Sequence, residues 1–63
     1  MNVGERIKEK REAKALTQET LADIIQVNRS YVAQIERGSK VPSIILAYEM
    51  AKALDCTMDD FVK

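Results

Sequence analysis

Three residues, Ile25-Gln26-Val27, separate two stretches with helical patterning. A link that short keeps the second helix from folding back as an antiparallel hairpin and makes the two cross steeply. An ordinary small helical bundle also has short loops, so spacing alone leaves two architectures open. Length narrows them further. A chain of 63 residues makes one domain, and a domain of that size buries only ~60% of its unfolded surface. Few side chains can be given to anything but the core unless they serve a purpose.

Punctuation divides the chain into five short helices. Asn2 followed by Glu5 is a capping-box start, with Val3 and Ile7 on one stripe as far as Lys14. Thr17 caps a second helix, TQETLADII, with Leu21, Ile24 and Ile25 expected inward. Asn28 caps a third, which stops at Gly38, a residue suited to a left-handed C-terminal turn. Pro42-Ser43 opens a fourth, SIILAYEMAKAL, whose Ile44 or Ile45, Ala47, Met50, Ala51 and Leu54 form an apolar stripe. Thr57 and Asp60 form a last cap, ahead of Phe61 and Val62. No β-alternation, repeat or linker interrupts this pattern, so the fold class is all-α.

Composition excludes several functions. With no His and a lone Cys56, neither a Cys/His zinc site nor an intramolecular disulfide can form. Cys56 has no evident base, and Asp59-Asp60 suits a helix start, so no enzyme is expected, nor a metal or cofactor. No apolar run approaches a membrane span, and MNVGERIKEK lacks a signal-peptide core. A cytoplasmic protein is expected, and a chain beginning at Met1 reads as a whole small regulator. Net charge is zero, but residues 1–40 hold eight Lys/Arg against six acids (+2), and residues 41–63 two against four (−2). Such a dipolar molecule can present a positive face without a net charge.

The third helix, NRSYVAQIERG, has an odd distribution of polarity. At ~100° per residue, Val32, Ile35 and the stem of Asn28 point towards a core. Ser30, Gln34 and Arg37 point the opposite way, with Arg29 and Tyr31 on the shoulders. A helix fits the major groove, where Arg pairs bidentately with guanine and Gln with adenine. The side that buries little is suited to reading base edges.

Leu16-Thr17-Gln18, Leu21-Ala22, Ile35-Glu36-Arg37-Gly38 and Pro42-Ser43 stand in the register of one known pattern. Together with Val3-Gly4, Arg11, Leu54 and Asp60-Phe61, they make the chain resemble the Xre family of helix-turn-helix regulators. That group includes phage lambda-type repressor and Cro domains. The resemblance implies a compact five-helix, lambda-repressor-like domain spanning 1–63, with the helix-turn-helix at about 17–37. It implies base contacts from Arg29, Ser30 and Gln34. Tyr31 lies beside them, either touching a base or phosphate or packed half-buried against a neighbouring helix.

Phosphate contacts are expected from Thr17 and Gln18, at a helix end whose free N–H groups favour anions, and from Arg37 and Lys40, the latter alternatively reaching a narrowed minor groove. The resemblance adds a side-chain phosphate role for Gln18. It also implies an ion pair, Arg11 with Glu36, tying the first helix to the third and leaving Arg11 near a phosphate. Gln26 and Ala15 stand where the family usually has Gly, and Lys10 where it is more often aliphatic. The expected function is a sequence-specific regulator of transcription on double-stranded DNA, a repressor or dual regulator. It is expected to bind a near-palindromic operator as a homodimer. Val41, Pro42, Ile44, Ile45, Met58 and Val62 are the dimer candidates, with Phe61 expected in the core. The alternative is a protein-interaction module, such as an antitoxin or a polymerase-contacting domain. No membrane or small-molecule ligand is expected in either case.

Overall fold

The computed structural model describes residues 2–62 and contains five helices among them: α1 (Val3–Ala13), α2 (Gln18–Ile25), α3 (Arg29–Arg37), α4 (Ile44–Ala53) and α5 (Asp59–Val62). Each start is set locally. The Asn2 side chain accepts from the Glu5 N–H at 2.8 Å while Glu5 accepts from the Asn2 N–H, completing a capping box. Thr17, Asn28 and Ser43 cap α2, α3 and α4 through side-chain oxygens that accept from Thr20, Ser30 and Leu46 N–H groups. At α5 the Asp60 carboxylate accepts from the Thr57 N–H at 3.0 Å.

The core gathers Ile7 of α1, Leu21 and Ala22 of α2, Val32 and Ile35 of α3, and Met50 and Ala51 of α4, with Leu54 and Phe61 beyond. α1 packs on α3 and α5, while α2 packs on α3 and α4. Helix α3 is therefore clamped on its inner side only. Gly4 makes the α1–α3 contact possible: a Cβ there would fall 2.9 Å from the Glu36 carbonyl oxygen and closer still to that of Ile35.

Several expectations about burial need correction. Ile24 is exposed, and Ala22 takes the inward place. The Asn28 stem is exposed too, because its carboxamide turns back to cap α3. Neither Ile44 nor Ile45 enters the core, each remaining 77% exposed. Leu46 packs against the core instead. Helix α1 ends at Ala13, with Lys14 as its cap. Lys10 is half-buried, as suits a stem lying over apolar neighbours.

The α2–α3 turn passes through Gln26 at φ 61°, ψ 50°, the left-handed region where glycine is expected. Ala15 (φ 58°) and Asp55 (φ 56°) share that region, the latter unforeseen in the sequence.

Candidate nucleic-acid interface

Helix α3 divides cleanly. Val32, Ile35 and Glu36 are buried, Arg29, Ser30 and Arg37 are exposed, and Gln34 is half-buried. The side chains of Arg29, Ser30 and Gln34 make no hydrogen bond or ion pair with other described residues. Unspent donors and acceptors along one side of a helix, exposed at Arg29 and Ser30 and half-buried at Gln34, are what edge-on reading of base pairs requires.

A polar bay of about 630 Å³ opens beside this row, bordered by Arg11, Leu16, Thr17, Gln18, Glu19 and Arg29. It lies over the first turn of α2, whose unpaired N–H groups and positive dipole end suit a phosphate. Thr17 is engaged in its cap, with its hydroxyl donating to Thr20 Oγ1 at 2.9 Å.

Beneath the bay is a buried network. Arg11 Nε donates to Glu36 Oε2 at 2.7 Å and Nη2 to Glu36 Oε1 at 3.1 Å, while Nη1 donates to the Leu16 carbonyl at 2.6 Å. Arg11 is 8% and Glu36 7% exposed, so the pair is buried. The hydrogen bonds to Glu36 raise the Arg11 pKa, outweighing burial, which lowers it. Gln18 Nε2 donates to the same carboxylate at 3.1 Å. The Arg11–Glu36 pair thus ties α1 to the end of α3, and Arg11 still forms part of the bay. The Gln18 link was not foreseen. Its side chain is already oriented by Glu36 on one side and faces the bay on the other.

Beyond α3, Gly38 (φ 89°) reverses the chain. Arg37 Nε donates to Ser39 Oγ at 3.1 Å. Lys40 instead turns back over Tyr31, with its Nζ 5.8 Å from the ring centroid. Tyr31 is half-buried and packs against the core, the second of the two places open to it from sequence. No pairwise motif in the sequence signals the Lys40–Tyr31 contact.

The dimer candidates fall into two places. Val41, Pro42, Ile44, Met58 and Val62 surround one apolar groove, together with Val3, Ala47 and Phe61. Ile45 lies in another, with Ile25, Val27, Tyr31 and Leu46. Neighbouring residues on a helix point ~100° apart, and here Ile44 and Ile45 line different grooves. Phe61 is core, as expected. Among the described residues no group of three or more His, Cys, Asp or Glu is placed to hold a metal. No described helix is long and apolar enough to cross a membrane.

Comparison with known proteins adds independent findings. A family model described as helix-turn-helix (HTH_3) matches residues 7–61. The uncharacterised HTH-type transcriptional regulator YgzD of Bacillus subtilis (strain 168) is 40% identical over 55 residues, covering 87% of this chain and 83% of that protein. The structure of the restriction-modification controller protein C.AhdI from Aeromonas hydrophila superposes with a TM-score of 0.89 at 41% identity, covering 94% of this chain and 89% of that one. The P22 c2 repressor, in complex with synthetic operator 9T, superposes at 0.93 with 28% identity, covering 100% of this chain and 96% of that one.

Proposed function

The chain belongs to the helix-turn-helix family HTH_3, and on that ground we propose that it is a sequence-specific repressor that reads the major groove with α3. It is a DNA-binding transcriptional regulator, as its family and its similarity to operator-bound P22 c2 repressor establish. The observation that carries the finer reading is the free, outward row Arg29, Ser30 and Gln34, opposite the buried Val32, Ile35 and Glu36. Arg29 and Gln34 supply the bidentate groups that favour guanine and adenine, each good pair contributing ~1–3 kcal/mol of discrimination. Ser30 is small enough for close approach. The protein-interaction alternative gives those side chains no comparable work.

Phosphates flank this row. The α2 end with Thr17, Gln18 and Arg11 takes one strand, and Arg37 with Lys40 takes the other. One domain reads only a few base pairs, so the functional unit is a homodimer on half-sites ~10–10.5 bp apart. Its interface is the apolar groove around Val41, Pro42, Ile44, Met58 and Val62. The protein works in the cytoplasm, without cofactor, metal or catalytic activity.

Selection of bound sites from random duplex DNA tests this reading. Arg29→Ala and Gln34→Ala are each expected to relax preference at one or two positions per half-site. Unchanged preference in both variants overturns the assignment of α3 as the reading helix.

A further inference from the structure

We propose that Tyr31 is a positioning residue for DNA binding: its ring holds the Lys40 ammonium beside α3, set to meet a phosphate at the groove edge. The inference rests on the DNA-reading role of α3 given above. Three observations converge on it. The ammonium lies over the ring, 5.8 Å from its centroid. The backbone that carries Lys40 is itself held, since the Ser39 and Lys40 N–H groups both donate to the Gln34 carbonyl, at 2.9 and 3.3 Å. The ring is anchored as well, packed against the core and bordering the groove of Val27, Ile45 and Leu46. A fixed aromatic surface thus lies under a cation whose chain segment is also fixed.

The position matters because Tyr31 sits on the shoulder of the reading row, next to Ser30 and three residues before Gln34. Lysine has a flexible four-carbon stem and strongly hydrated charge, so an unrestrained Lys40 gives up rotamer freedom on meeting a phosphate. The ring quadrupole attracts the cation beforehand and removes part of that loss. The attraction comes from the ring face, so the Tyr31 hydroxyl is not required. Because a phosphate contact carries no base information, the effect is uniform across DNA sequences.

Operator affinity over a salt series tests this, with Lys40→Met, Tyr31→Phe, Tyr31→Leu and Tyr31→Leu/Lys40→Met, each checked for folding by far-UV circular dichroism. Lys40→Met is expected to weaken binding alike on the selected operator and its point mutants, and to reduce the salt slope by about 1. Tyr31→Phe is expected to bind as the wild type. Tyr31→Leu is expected to weaken binding roughly two- to fivefold, and to add nothing once Lys40 is gone. Independent, additive losses overturn the proposal. So does equal loss in Tyr31→Phe and Tyr31→Leu, or an altered base preference in either. If Tyr31→Leu does not fold, the Lys40 methylene resonances decide: ring-current shifts in the wild type and Tyr31→Phe support the contact, and their absence refutes it. If Lys40→Met binds normally while Arg29→Ala and Gln34→Ala lose preference, this proposal fails and the reading role of α3 stands. If the wild type itself prefers no sequence, both fail.

Discussion

Removing one member of the Arg11–Glu36 pair should destabilise this domain severely. In Arg11→Met, Glu36, a residue 7% exposed in the native fold, loses both guanidinium bonds, at 2.7 and 3.1 Å, and among the described residues its carboxylate keeps the Gln18 amide. In Glu36→Leu, the Arg11 guanidinium keeps its hydrogen bond to the Leu16 carbonyl and the exposed Glu12 carboxylate 4.0 Å away, and loses its buried partner. Breaking a buried pair by removing one partner costs about 3–5 kcal/mol, because the remaining charge is stranded. A domain of 63 residues has a total stability of roughly 3–9 kcal/mol, at ~0.05–0.15 kcal/mol per residue. Each single variant therefore loses about a third or more of what holds it folded.

The assay is urea unfolding followed by circular dichroism, run in trimethylamine N-oxide so that the single variants keep a folded baseline. Arg11→Met and Glu36→Leu should each fall by about 3–5 kcal/mol. The double variant, which strands neither charge, should recover most of that loss. A loss below ~1 kcal/mol in both singles is the behaviour of an exposed pair. That result refutes the reasoning, since it means water reaches the pair despite its burial.

Four further outcomes are expected. Gln26→Gly should stabilise the protein by ~0.5–1 kcal/mol, because relief of ~1–2 kcal/mol of left-handed strain exceeds the added unfolded-state entropy; a rise in melting temperature checks it. Gly4→Ala should destabilise by about 1–3 kcal/mol despite alanine's better helix propensity, because its Cβ meets backbone oxygens of α3 that cannot step aside; urea unfolding gives the sign. Ile44→Asp should abolish self-association in sedimentation while Ile45→Asp leaves it intact, since the two side chains line different grooves. Burial, then Asp60, push the Cys56 thiol pKa up, so folded protein at mildly alkaline pH should alkylate more slowly than urea-unfolded chain. The sign for stability follows: the unfolded thiol ionises first, so this contribution is complete below the unfolded pKa and is lost as pH rises through the folded one.

Much of this was legible in the sequence because it is decided within three or four residues. Asn2 with Glu5, Thr17 with Thr20, and Asn28 with Ser30 meet through local bonds that any folded version of the chain would keep. The alternation of buried and exposed positions along α3 is equally local, since helical rotation alone separates Val32 and Ile35 from Ser30 and Gln34. The left-handed turn at Gln26 followed from family resemblance and is found at φ 61°.

Burial was less legible, since it depends on which helix comes to lie against which. Ile24, Ile44 and Ile45 carry the same apolar signal as core residues, yet all three stay exposed, Ile44 and Ile45 at the rims of open grooves. The sequence alone determined five capped helices and the polar row on the third. Only the tertiary structure decided that Arg11 and Glu36, 25 residues apart, are buried together, that Gln18 joins them, and that Lys40 lies over Tyr31. Hydrogen bonds within a turn depend on chain geometry, but desolvation depends on the distance between helices, and that distance is set by side chains as remote and as small as Gly4.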